Sequence, residues 1–223
     1  MNGGSSTTPP VPPAPPDDRA SEPTSRERLL EAAIDVIERH GESGVRVDEI
    51  AQTAGVAKPS LYHFYGSREG LIAVAQAERY RRSLLVGYEE IQVHLERCTS
   101  RADWFALVTV WIRTFATPDS AQRRAMRLDV LGSSVARPAL RDAIVAANDA
   151  ARMNLEQFID HARTRGWALV GTDVETRHVA MWLHGLWNGR YLVDITDDDE
   201  WIDGWDAVTA QVMELLLAGT ISD

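Results

Sequence analysis

The chain has 223 residues, 44 % hydrophobic and 25 % charged, with 33 acidic against 23 basic side chains and a formal charge of −10. That length supports one or two domains with a buried core, and the acid excess argues against a uniformly basic nucleic-acid coat. A single cysteine, Cys98, excludes an internal disulfide and a multi-cysteine zinc module, and with no run of roughly 18 apolar residues and no leader pattern the expectation is a cytoplasmic protein without a membrane partner.

Residues 1–23 hold seven of the ten prolines, mixed with Gly, Ser and Thr. Nothing apolar recurs there to offset the entropy of ordering, so a disordered, partly polyproline-II tail is expected. From Thr24 onward the pattern is helical, with no alternating strand runs and no fixed-period repeat. Thr24 stands three residues before Glu27, the spacing of a capping box. Leu30, Ala33, Ile34 and Ile37 follow as one helical face, and Gly41 is placed to stop it. Short helices are predicted over Val47–Ala54 and Lys58–Tyr65, separated by Gly55, and a longer one over Arg68–Leu85, capped by Ser67. Trp104, Val108, Trp111 and Phe115 mark the next face, followed by a helix over about Ser120–Leu131. Pro138 opens a long helix with Leu140, Ile144, Ala147, Ala151, Leu155 and Phe158 on its stripe, ended by Gly166. A segment over Asp173–Val193 is apolar nearly all round, which implies burial on more than one side. The last helix, about Glu200–Ala218, carries Trp201, Trp205, Val208, Val212 and Leu215 at nearly heptad spacing.

The segment with chemical content is residues 46–65, RVDEIAQTAGVAKPSLYHFY. It reads as two short helices crossing through a glycine-bearing turn, a helix-turn-helix. Ala51 is small where the helices cross, and Gly55 can take a positive φ. Ile50, Ala54, Val56 and Leu61 seal the small core between them. The outer face is left to Lys58, Ser60, Tyr62 and His63, whose cation, hydroxyl, phenol and imidazole suit phosphate oxygens and groove edges. Residues 24–82 carry nine basic and nine acidic side chains, so the segment is neutral within an acidic chain, and Lys58 is its one lysine. Non-specific DNA affinity should therefore be modest and fall steeply with salt.

The run Leu61-Tyr62-His63-Phe64-Tyr65-Gly66-Ser67-Arg68-Glu69-Gly70-Leu71 resembles the signature of the tetracycline-repressor (TetR-type) family of bacterial regulators. Arg28-Leu29-Leu30-Glu31-Ala32-Ala33 with Gly41 resembles that family's first helix, and Gly185-Leu186 its penultimate one. The close match covers about residues 24–82. The resemblance implies an all-α protein with an N-terminal three-helix helix-turn-helix domain (24–84) and a larger helical ligand-binding and dimerisation domain (85–223). It implies a homodimeric repressor that binds double-stranded DNA at a palindromic operator and leaves it on binding a small-molecule effector. Ser60, Tyr62 and His63 would contact the groove, Lys58 would sit near a phosphate, and Ser67 and Arg68 would touch the backbone at the next helix's start. Arg68 stands where lysine is usual, Ala57 where a hydroxyl cap is frequent, and Arg46-Val47 where threonine is common; Arg46 could replace the lost hydroxyl–phosphate contact. The last two helices, with Trp201, Trp205, Val208, Val212 and Leu215, would form the dimer seam.

All seven tryptophans fall after residue 100. Most of that area reads as core and seam; the remainder suits an apolar effector pocket with a few polar anchors. Trp104, Trp111, Phe115, Met126, Phe158, His161, Trp182 and Asn188 are its expected lining, with Asn188 and His161 as hydrogen-bonding groups. Glu175-Thr176-Arg177-His178 has the Glu-x-x-His spacing of di-iron bundles, but no second pair exists. Asp197-Asp198-Asp199-Glu200 reads as a helix start. No catalytic, metal or cofactor site is expected. The alternatives are an all-helical metal-dependent enzyme and a helical adaptor without DNA contact.

Overall fold

The computed structural model describes residues 22–86, 88–167, 174–196 and 198–218, and all the regular structure among them is helical. The proposed tail, apart from its last two residues, and Asp173 and Asp197 lie outside the described residues.

Helix α1 (Ser25–His40) starts at Thr24, whose hydroxyl accepts from Glu27 N–H while the Glu27 carboxylate returns to Thr24 N–H. It ends at Gly41, with φ at 67°. Leu29, Ala33, Ile34 and Ile37 are buried; Leu29 leads the inner face, one turn before Ala33, and Leu30 packs partly buried at its edge. A 3₁₀ turn at Glu42–Gly44 leads to α2 (Val47–Thr53) and, after the turn, α3 (Lys58–Tyr65). Gly55 takes φ 62° and Gly66 φ 73°, left-handed backbone that disfavours a Cβ. Ile50, Ala54, Leu61 and Tyr65 join the α1 residues in one core.

Helix α4 (Arg68–Leu85) begins at Ser67, whose side chain accepts from Gly70 N–H. Its 18 residues make a rod about 27 Å long. Leu71, Ile72 and Ala75 belong to the α1–α3 core, whereas Tyr80, Ala73, Ala77 and Leu84 pack into a second cluster with Val130, Leu140 and Ile144. One rigid helix therefore serves both halves of the chain.

Beyond it lie α5 (Tyr88–Arg97), α6 (Arg101–Thr114), α7 (Pro118–Ser134), α8 (Pro138–Arg163), α9 (Thr176–Gly189), α10 (Tyr191–Asp194) and α11 (Asp199–Ala218). Helix α5 is not among those the periodicity predicts. Trp104, Val108, Leu155, Phe158, Ile159, Leu183, Trp187 and Met213 form the main core here. Ala147 and Ala151, expected on the buried α8 stripe, are only half-buried.

The expected continuous helix over Asp173–Val193 is broken at Arg190, between α9 and α10. A buried ionic cluster explains the short extra turn. Asp194 accepts from both Arg124 Nε at 2.5 Å and Nη2 at 2.9 Å, and also pairs with Arg190. Arg190 in turn holds Asp206 of α11 at 2.8 Å through two bonds. Two cations and two carboxylates balance, which makes the burial tolerable. Helix α9 buries one face through Val179, Ala180, Leu183 and Trp187 and exposes Met181 and Trp182 on the other. Its all-round apolarity thus leaves a bare face on the single chain.

Candidate functional site

Helix α3 is pinned from one side. Leu61 and Tyr65, one turn apart, are buried, and the Tyr65 hydroxyl donates to the Arg26 carbonyl at 2.6 Å. Burial pushes that phenol above its usual range. The opposite side presents Pro59, Tyr62 and His63 to solvent, with Tyr62 44 % exposed. Ser60 lies half-buried on the flank, and Phe64 is exposed beside His63, their ring centroids 5.3 Å apart. Phe64 was passed over in the sequence because an aromatic residue at that register looks like core. Ala57 precedes the helix without a side-chain cap.

The expected phosphate-facing groups divide. Lys58 is exposed and pairs with Asp48 of α2 at 2.7 Å, and that hydrogen bond and charge raise its pKa. An exposed pair of this kind is worth little and yields easily to a phosphate. Arg46 is exposed and folds back to donate to the Ser43 carbonyl at 2.5 Å. Two others are bonded within the chain. The Ser67 hydroxyl oxygen accepts from Gly70 N–H, the α4 cap its position predicts. The Arg68 guanidinium donates to the Val45 carbonyl at 2.9 Å and the Glu42 carbonyl at 2.7 Å, and touches Glu69 at 3.3 Å. It clamps the α1–α2 connection instead of projecting towards a ligand, a role its fork of donors suits better than a lysine would.

Gly70 explains the glycine in the same run. A Cβ there would lie 2.1 Å from the Tyr65 carbonyl oxygen, so α4 starts closer to the end of α3 than any side chain allows.

Glu42 ties this unit to the rest. Its Oε1 accepts from Gln76 Nε2, Ser133 Oγ and Arg137 Nη1, each at 2.8 Å, and its Oε2 from Arg137 Nη2 at 2.6 Å. The Arg137 hydrogen bonds, helped by Gln76 and Ser133, hold the carboxyl down at about 2.

A cavity of about 390 Å3 lies among α4–α9. Of the expected lining, Trp111, Phe115, Phe158 and Asn188 stand on its wall. The other four do not. Trp104 is sealed in the main core, and Met126 packs on the α4–α7–α8 cluster. His161 sits against Trp167 with centroids 5.9 Å apart, its Nε2 without a partner. Trp182 faces away, into a surface groove of about 680 Å3 shared with Trp201, Trp205, Val208 and Val212 of α11. Trp187, His184, Arg124 and Arg127 also stand on the cavity wall, unannounced in the sequence; the two arginines carry no local sign of burial.

Glu175 pairs with Arg177 at 2.8 Å, and His178 is exposed. Asp198 Oδ1 accepts from Glu200 N–H at 3.0 Å, as a helix start requires. No group of three His, Cys, Asp or Glu that could hold a metal occurs among the described residues. Cys98 has its pKa raised by burial and by Asp103, the reverse of an activated thiol.

The model for bacterial regulatory proteins of the tetR family matches residues 29–75, which span the α1–α3 core and the start of α4. Over that segment the chain is similar to the tetR family of bacterial regulators. Among helix-turn-helix regulators, SrpR of Pseudomonas putida is 27 % identical over 157 residues, 68 % of this chain and 67 % of that one. The regulator BetI of Rhizobium meliloti is 32 % identical over 107 residues, 43 % of this chain and 52 % of BetI, so the match spans about half of that relative. A putative transcriptional regulator from Saccharomonospora viridis, solved in complex with choline, is 21 % identical with a TM-score of 0.58, covering 86 % of this chain and 97 % of that one. That likeness shows a shared fold that reaches the C-terminal helices. The family match and the regulator relatives make the helix-turn-helix a DNA-binding element of a transcriptional regulator.

Proposed function

We propose that the protein is a homodimeric repressor that grips a palindromic operator with paired α3 helices and leaves it when a small organic effector fills the cavity among α4–α9. The observation that carries the DNA-binding reading is the split of α3 into a buried Leu61–Tyr65 edge and an exposed Tyr62–His63 face flanked by Lys58. A packing hairpin has no reason to leave two aromatic rings and an amine in water on one helix. Residues 24–84 form the DNA-binding unit and 85–223 the sensing and pairing unit, with operator contacts from Tyr62, His63, Ser60, Lys58 and Arg46.

Pairing is supported by the α9–α11 face. Trp201 is 68 % exposed and Leu215 56 % exposed, and with Val208 and Trp182 they leave an apolar surface of the kind that marks an interaction site. Two copies joined about a two-fold axis would bury it and set the α3 separation near one or more duplex turns. The choline-bound relative supports a small organic effector here. Such a molecule acts only through unequal affinity for two spacings. Helix α4 spans both units, and the Glu42–Arg137 pair fastens the α1–α2 connection to the end of α7, so these carry the change. The protein acts in the cytoplasm, where its DNA is. The test is electrophoretic: fragments selected from genomic DNA should be shifted by the native protein and not by Tyr62→Ala at the same concentration. Equal shifts would remove α3 from the interface.

A further inference from the structure

Among the described residues, the permanently charged groups on the cavity wall are all cations, Arg123, Arg124 and Arg127. Arg127 is only 8 % exposed, and no carboxylate among the described residues pairs with it. Its Nε donates to Asn188 Oδ1 at 3.0 Å and its Nη1 to the Ser83 carbonyl at 3.3 Å, both neutral acceptors. Arg124, by contrast, has its charge met by Asp194. Burial, with the fields of Arg124 and Arg123, lowers the Arg127 guanidinium to about 10, so it remains a cation at neutral pH. The Tyr80 phenol, held up by burial, supplies no counter-charge. His184 is kept from protonating by burial and by Arg127. On the same wall the indole N–H of Trp187 is buried with no acceptor.

A buried charge without a counter-ion is a costly arrangement in a folded chain. It becomes favourable when a ligand brings the missing charge. The rest of the wall is apolar and aromatic: the Phe115 and Trp187 rings stack at 4.5 Å, Trp111 meets Trp187 edge-on at 4.4 Å, and Phe158 lies 5.2 Å from Trp111. Aromatic walls alone would also suit an organic cation, but a cation here would sit beside an unscreened guanidinium.

We propose that the cavity takes an organic anion with an apolar body, its carboxylate paired with Arg127, with the Trp187 N–H as a further donor, and its ring or chain packed against Trp111, Phe115 and Phe158. The inference rests on reading this cavity as the effector site.

Three probes of one shape and different charge decide it: phenylpropionate, phenylpropanol and phenylpropylammonium, titrated into the full chain by calorimetry. The acid should bind about tenfold or more tighter than the alcohol, the value of one charge-assisted hydrogen bond in a buried site, and the ammonium should not bind in the same range. Arg127→Met should abolish the acid's advantage while the alcohol still binds, which also shows the fold intact. Arg127→Gln, which keeps donors for Asn188 and Ser83, should behave likewise. The proposal is overturned if the acid does not bind, if the ammonium binds as tightly, or if the acid's advantage survives both substitutions. Operator release, read in parallel, separates this from the effector reading. An acid that binds through Arg127 without releasing DNA leaves the anion site standing and removes the effector role. Release by the alcohol or ammonium but not the acid keeps that role and removes the anion.

Discussion

At the scale of single residues, α3 divides labour between neighbours. Leu61 and Tyr65 hold the helix, and Tyr62 and His63 are free to meet a groove. Tyr62→Ala should weaken operator binding about tenfold in a gel-shift titration, with the melting temperature unchanged because the ring makes no core contact. Lys58→Ala should weaken all DNA sequences alike and lower the slope of log affinity against log salt by about one. Gly70→Ala should cost about 1–3 kcal/mol in a urea melt, since the new methyl would overlap the Tyr65 carbonyl at 2.1 Å. The residues of the turn were legible in the sequence because each does a local job: a cap, a positive φ, a small crossing residue. The internal bonds of Arg68 were not legible, for the opposite reason. A charged side chain at a helix start looks free in a one-dimensional string, and only the folded chain brings the Val45 and Glu42 carbonyls to Arg68.

At the scale of elements, α1–α4 follow their sequence signals almost to the residue, because the Thr24 and Ser67 caps and Gly41, Gly55 and Gly66 mark most of their ends. The later helices are set by distant partners. The break at Arg190 depends on Arg124 and Asp206, and no neighbouring residue announces it. The cavity was half legible: aromatic spacing found Trp111, Phe115 and Phe158, but which face of α7 turns inward, carrying Arg124 and Arg127, is a packing decision. The junction between units has a pH signature. The Glu42 carboxyl is lowered to about 2 from an ordinary value of 4.5. A depressed carboxyl stabilises the folded pairing above its unfolded value and loses that contribution as pH falls through the folded one. Melts of the native protein should therefore lose stability between about pH 4.5 and 2, and Glu42→Gln should lose less over that window. Equal acid sensitivity in both would remove the Glu42–Arg137 pair as the junction.

At the scale of the whole molecule, the α9–α11 surface asks for a second copy. Leu215 is exposed in the single chain, so Leu215→Asp should leave the monomer folded and abolish the dimer in light scattering. Trp205→Asp should act in the same direction; dimers persisting in both would refute the seam. In the proposed function, repression and release both depend on α3 entering a groove twice per dimer. Selection of bound fragments from genomic DNA by the purified protein, with Tyr62→Ala as control, measures that most directly. A shared two-fold-symmetric sequence, its half-sites centred about one duplex turn or a multiple apart and absent from the control, is the expected result. Fragments without symmetry, or an identical set recovered by the Tyr62→Ala protein, would contradict it.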